Sequence, residues 1–374
     1  MKTRIVCPML VALACGGEPA PGQVPAGMVS QEIAGRTLYL RPGFHVALFA
    51  DNLRDVRNLV LGPGGVVYAA LQGPGKVVRL VDHNGDGVAD SVIDVATGLD
   101  GPFGIAFRGD TMYVGEETRV RRWVPGHATP QPIIPDLPSG GHATRTIVFG
   151  PDGFLYVAVG SSCNICDESN SRRAAVTRFN ADGSGEVRFA TGLRNSVGLA
   201  FNPATNELWA TNNDRDNIGG MNASITDDLP PEHLNILKMG RFYGWPQCYL
   251  PGQRNPEYPD ARCDNVEPPT ITFQAHSAPL GMTFYGGTAF PGYQGDAFVA
   301  FHGSWNRTVP TGAKVVHVKV QNGRAVSSED FVTGWQLGNG SRWGQPVAPL
   351  ALPDGSLLIS DDSGGRIWRV TYGN

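Results

Sequence analysis

Three short segments carry side chains able to move protons and to hold negative charge. The stretch 140–150, GGHATRTIVFG, places His142 and Arg145 just ahead of an apolar run. The stretch 191–201, TGLRNSVGLAF, places Arg194 and Asn195 in the same way, with Arg194 52 residues after His142. An imidazole titrates near neutral pH and suits general-base work, and a guanidinium stabilises developing negative charge. The third segment, NNDRDN at 212–217, offers Asn213, Asp214, Arg215 and Asp216. Farther on, HSAPLG at 276–281, HGSWNR at 302–307 and RWGQP at 342–346 add His276, Trp305, Asn306, Arg307, Arg342, Trp343 and Gln345. Taken singly, each reads as a solvated loop or a packed turn. Chemistry requires a fold that brings them together.

One further loop is rich in oxygen. DHNGDGVAD, residues 82–90, spaces Asp82, Asn84, Asp86 and Asp90 as a calcium loop does, with Gly87 at the turn. Its flanks read as strands, so it is no EF-hand. Two readings stand here, a structural calcium site and a polar turn closed by Asx hydrogen bonds.

The elements that must position these residues recur along the chain. A Gly, Pro, Asp or Asn turn followed by a Val-, Tyr-, Leu- or Phe-rich strand appears six times, as in GPGGVVYAAL at 62–71, GPDGFLYVAVG at 150–160 and LPDGSLLISDD at 352–362. The turns centre on Gly65, Asp110, Gly153, Thr205, Asp296 and Gly355, in steps of 45, 43, 52, 91 and 59 residues. A four-stranded propeller blade repeats every ~40–50 residues, whereas a sandwich shows no such superperiod. The chain therefore reads as all-β, a six-bladed β-propeller with one long inter-blade insertion at 217–269. A helix is expected near 231–239. In such a fold, function gathers where strand-end loops meet the central channel.

Composition bounds the rest. Of 374 residues, 41% are hydrophobic and 17% charged, with a net charge of −4, so there is no basic footprint for nucleic acid. No apolar run reaches the ~20 residues of a spanning helix. Lys2 and Arg4, followed by the apolar run 5–14 and the LVALACGG stretch, read as an export signal with a lipobox. In that reading residues 1–15 are the signal, Cys15 is the lipidated residue, 16–35 form a flexible tether, and 36–374 form the propeller. The four remaining cysteines pair most simply as Cys163–Cys166 and Cys248–Cys263 in an exported chain. The CxxC spacing lacks the following His of a haem site and the further ligands of a zinc site.

Together GGHxxR, GLRN, YGWP, HSAPLG, HGSWNR and SDDSGGRIWRV, in this order from about residue 40 onward, resemble the sorbosone dehydrogenase branch of the quinoprotein glucose/sorbosone dehydrogenases. The resemblance implies oxidation of an aldose, or of a hydrated sugar aldehyde, by hydride transfer to pyrroloquinoline quinone, with calcium and a separate electron acceptor. It also implies His142 as the base, Arg194 as the arginine that polarises the quinone carbonyl, and Asn195 as a hydrogen-bonding neighbour of the cofactor. Backbone carbonyls of Asn213, Asp214 and Arg215 would ligate calcium. Arg145, Arg307 and Arg342, with Trp305, Asn306 and Trp343, would supply charge and stacking. The family usually carries arginine in the last motif, WGRP, where this chain has Gln345. The absence of a Gly-rich strand–turn–helix fingerprint argues against a nicotinamide site. A cofactor-free binding propeller and a metal-dependent hydrolase are the rival readings. The hydrolase would require a carboxylate-rich centre.

Overall fold

The structure is a computed structural model and describes residues 24–127, 129–220 and 222–373. Cys15 and the export signal lie outside the described residues.

Six antiparallel sheets follow one another around an axis. Blade one runs Val56–Leu61, Val67–Leu71, Lys76–Val81 and Ser91–Ala96, from the innermost strand outward. Blades two and three start at Ile105–Arg108 and Ile147–Phe149, blade four at Leu199–Phe201, blade five at Pro279–Phe284 and blade six at Pro346–Ala351. Each innermost strand is joined to the next by one of the six turns read from the sequence. The ring closes because Phe44–Ala50, early in the chain, pairs with Arg366–Tyr372, with Val46 opposite Val370. Closure ties the two ends of the chain into one sheet and leaves no blade unpaired with its neighbours.

Burial explains why the blades stack. Successive side chains point to opposite faces of a strand, so a blade with apolar residues on both offers one face to each neighbour, and each of the six seams holds a buried cluster. Val56, Leu59 and Ala69 meet Leu358 and Ile367 across the seam between blades one and six. Trp209 and Leu234 meet Val299 and Val316 between four and five. Phe103, Val197, Leu280 and Val347, from four different blades, converge near the axis. Short side-chain bonds stitch neighbouring blades together near the axis, including Thr146 Oγ1 to Val197 O at 2.5 Å and Ser360 Oγ, on the second strand of blade six, to Arg57 O at 2.6 Å.

Three local expectations are corrected. The stretch 231–239 is not helical, because Glu232–Leu237 is the third strand of blade four and every residue of it is buried. Its two faces are both buried, so polar Glu232, His233 and Asn235 sit among the apolar residues and the alternation that marks a half-exposed strand is lost. The helix in this region is Ala223–Thr226, capped by the Asn222 side chain. The tether is also shorter than expected, since Val29–Ile33 pairs with Arg36–Leu40 and extends blade five outward. The inserted segment is accordingly 238–270, between Leu237 and Ile271. It is braced by the Cys248–Cys263 disulfide and tied back to blade three where Phe242 pairs with Thr191.

Candidate active site

Alternation of strand direction decides which loops meet. The six turns lie at one end of the ring. Whatever precedes an innermost strand or follows a second strand therefore lies at the other end, the mouth. His142, Arg194 and Gln345 precede innermost strands, while Asn164, Asn213–Asp216, His302–Arg307 and Asp362 follow second strands.

His142 is half-buried, and its Nδ1 lies 3.0 Å from both the carbonyl and the hydroxyl oxygen of Ser161. A carbonyl only accepts, so Nδ1 carries the proton and Nε2 keeps its lone pair. No described residue bonds Nε2. Burial, then the charge of Arg194, with smaller contributions from Arg173 and Arg145, pushes this imidazole down to about 4, against an upward pull from Ser161. It is a neutral base at physiological pH. Gly160 makes the packing possible, because a Cβ there would come within 2.5 Å of His142 Cβ and 2.8 Å of Asn195 Oδ1.

The loop that carries His142 is held by two buried arginines. Arg145 Nη1 donates to His142 O at 2.7 Å and Thr144 O at 2.9 Å, and Nη2 donates to Pro138 O. Arg173, which the sequence reading missed, donates to Gly140 O at 3.1 Å, Gly160 O at 3.3 Å and Ser139 O. Arg145 is thus corrected from ligand contact to scaffold. It is fully buried, with its Nη groups bonded to carbonyls of its own loop, and burial brings it down to about 10, still charged.

Arg194 is buried and fourfold bonded. It reaches Asn164 O at 3.1 Å, Asn164 Oδ1 at 3.0 Å, Asp214 O at 2.8 Å and Asp216 Oδ2 at 3.2 Å. Asn195 adjoins it, its carbonyl accepting from Asn213 N at 2.9 Å. The turn 213–216 is thereby placed beside Arg194. Of its three carbonyls expected to face calcium, that of Asp214 accepts from Arg194 Nη1. Asn213 O and Arg215 O accept no hydrogen bond from any described residue. Beneath the turn, burial pushes the Asp214 carboxyl up to about 7 and that of Glu232 up to about 8. Glu232 Oε2 accepts from Asp214 N at 2.8 Å.

Across the mouth stands a second network. His302 Nε2 meets both oxygens of Asp362, at 3.1 and 3.0 Å, and Arg57 pairs with Asp362. Gln345 Nε2 contacts His302 Nδ1 at 3.2 Å and donates to His302 O at 3.0 Å, while Gln345 Oε1 accepts from Ser363 Oγ at 2.7 Å. Gln345 is therefore built into the wall. Arg342 is bonded to Ser304 O at 2.5 Å and Gln336 Oε1 at 2.9 Å. Arg307 is bonded to Asp227 O and Val309 O. Asn306 Nδ2 donates to Asp216 Oδ1 at 3.0 Å, linking blade five to blade four. Trp305 is 74% exposed, and Trp343 packs between Trp335 and Trp368.

The loop 82–90 lies elsewhere. Asp82 accepts from Gly85 N and Gly87 N, Asn84 from Asp86 N, Asp86 from Val88 N, and Asp90 from His83 N. These are Asx bonds, and the three aspartates do not converge on a common point. Among the described residues, Cys163, Cys166 and Glu168 alone form a metal-sized cluster of His, Cys, Asp and Glu, and the two cysteines are disulfide-bonded.

The profile of the TrAA12-like family matches residues 38–372. The chain belongs to the TrAA12-like family. This TrAA12-like chain is 27% identical over 370 residues to an uncharacterized protein of Borreliella burgdorferi, covering 92% of this chain and 93% of that one. It is 28% identical over 399 residues to a pyrroloquinoline quinone-dependent pyranose dehydrogenase of Coprinopsis cinerea, covering 88% of this chain and 54% of that protein. It thus spans about half the length of the Coprinopsis enzyme. Its fold matches the iodide structure of a Trichoderma reesei family AA12 enzyme with a TM-score of 0.80 at 22% identity, over 92% of this chain and 99% of that one.

Sequence reasoning missed Ser161, Asn164, Arg173, Asp216 as a hub, Arg57 and Asp362. A signal was present for Asn164, which lies inside the CxxC. None existed for Arg57, which reads as one polar position in an ordinary strand.

Proposed function

We propose that this TrAA12-like protein is an exported quinoprotein oxidoreductase, of the sorbosone-type branch, that oxidises a sugar hydroxyl or a hydrated sugar aldehyde to the carbonyl level. The observation that carries the reading is the pairing at one mouth of a neutral, tautomer-fixed His142 with a buried, fourfold-bonded Arg194. No side chain accepts a hydride, and pyrroloquinoline quinone, held at the mouth, would supply that two-electron acceptor. His142 Nε2, with its free lone pair, would hold and take the hydroxyl proton of the substrate. Arg194 sets fixed positive charge beside the reacting centre.

The residues present suit such a ligand. Arg57 Nε, Ser196 Oγ and Asn306 Oδ1 are buried at the mouth without a partner among the described residues. Buried polar atoms of this kind call for hydrogen bonds from a polar ligand. Asn213 O and Arg215 O are oxygen donors of the sort calcium accepts. The Coprinopsis relative, named for both quinone and pyranose, supports the same assignment. Two disulfides agree with export to an oxidising compartment, with Cys15 as the proposed lipid anchor.

Purified protein supplied with pyrroloquinoline quinone and calcium, then screened against aldoses and sugar aldehydes with an artificial electron acceptor, tests the proposal. Saturable quinone binding and substrate-dependent acceptor reduction are expected. Binding of neither quinone nor acceptor electrons would leave a glycan- or protein-binding propeller, the reading that Gln345 favours.

A further inference from the structure

Between the two proposed catalytic side chains lies a disulfide that neither of them touches directly. Cys163 and Cys166 are three positions apart and close a small ring at the exit of the second strand of blade three. Asn164 sits inside that ring, and its bonds run outward in every direction. Its carbonyl accepts from Arg194 Nε at 3.1 Å and from Trp245 Nε1, in the inserted segment, at 3.1 Å. Its Oδ1 accepts from Arg194 Nη2 at 3.0 Å and Asp216 N at 2.8 Å. Its Nδ2 donates to Asp216 O at 3.0 Å. The amide thus clasps both the N–H and the C=O of Asp216, its acceptor and donor lying on two separate atoms.

The ring reaches His142 as well. Ser161 Oγ donates to Cys163 O at 2.7 Å, and the same hydroxyl and its carbonyl hold His142 Nδ1. Ser161 N in turn donates to Arg194 O at 2.7 Å. One disulfide-closed loop thus borders the base, the arginine and the 213–216 turn.

We propose that Asn164, closed into the Cys163–Cys166 ring, is the positioning residue that fixes Arg194 between His142 and the 213–216 turn. It acts through Arg194, which takes two of its four bonds from Asn164, one on the backbone carbonyl and one on the side-chain Oδ1. The proposal rests on the quinoprotein reading for its consequence in catalysis, but its geometry is testable without any ligand.

The test is a pH titration of the His142 ring protons by NMR in the ligand-free full chain, assigned by their loss in His142→Gln. The charges around this imidazole are Arg194, Arg173 and Arg145. Arg173 and Arg145 are anchored to carbonyls independently of Asn164, whereas Asn164→Ala removes the amide clasp on Asp216 and the Oδ1 acceptor of Arg194 Nη2, leaving the bond of Nε to the backbone carbonyl and loosening the Arg194 charge. The His142 midpoint should rise by roughly half a unit or more as that charge moves away. Quinone affinity, measured by titration without turnover, should fall about tenfold. A residue that only held the loop together would lower the melting temperature and leave the midpoint in place. If Asn164→Ala is folded by circular dichroism and the midpoint does not move, the proposal is wrong. If that variant does not fold, Cys163→Ser/Cys166→Ser decides the matter on the same criterion, with a smaller shift in the same direction expected. Failure of the parent to bind quinone would overturn the function and leave the midpoint test intact.

Discussion

The mouth has two sides, and each carries a histidine. On the side of blades three and four, His142 has no carboxylate beside it and three arginines around it, and it is held neutral with a free Nε2. On the side of blades five, six and one, His302 is bonded at Nε2 by Asp362 and contacted at Nδ1 by Gln345. The Asp362 carboxyl is buried, which raises it, yet His302 and Arg57 outweigh burial and bring it below its ordinary value. The same residue type thus serves as a base on one side and as a wall on the other. What separates them is the partner set: carbonyl and arginine neighbours free one nitrogen, and an Asp–Gln pair occupies both.

The largest expected effect asks whether that division is real. His142→Ala should lower turnover by ~10²–10⁴-fold with quinone affinity nearly kept, since proton removal matters in the transition state. His302→Ala should cost far less turnover. Steady-state kinetics showing the reverse order would exchange the two roles. Next in size, Arg194→Ala should weaken quinone binding and turnover together, each by about 10- to 100-fold, as loss of a buried charge-assisted donor does. Intact affinity in a calorimetric titration would remove Arg194 from the ligand's neighbourhood.

The two sides should also part in their pH dependence of stability. His142 has a folded value depressed to about 4, below its ordinary 6.5. As pH falls from 7 to 5 the unfolded chain binds the proton first, so folding loses roughly 2 kcal/mol through this residue. His142→Gln should remove that share, leaving the parallel contribution of buried His233, which burial also holds near 4. Asp362, depressed in the folded state, contributes stability above its ordinary 3.8 and loses it as pH falls through its lower folded value. Asp362→Asn should therefore flatten only the acid limb. Urea melts across pH 3 to 8 would show whether the windows separate. The smallest effect is expected of Gln345→Arg, which restores the cation of the related motif and should tighten quinone binding a few-fold. No change would mean that Arg57 already serves that side.

Much of the molecule was legible in the chain itself. Turn-and-strand punctuation is local, so six repeats, and hence six blades, could be counted without coordinates, and their direction already put residues 142 and 194 at one end. Both cysteine pairings were within reach of proximity alone. Other assignments depended on partners far away in sequence. Arg145 and Arg194 look alike in their motifs, each one step from an apolar strand, yet the first is bonded to its own loop and the second to residues 164, 214 and 216. Glu232–Leu237 carries no mark that distinguishes a buried strand from a helix until its neighbours Leu208–Asn212 and Ile271–Phe273 flank it. The repeat, the turns and the residue types offered at the mouth are written in the order of amino acids. Which of those residues are buried and bonded depends on packing, because desolvation and hydrogen-bond pairing belong to the packed neighbourhood and not to the motif.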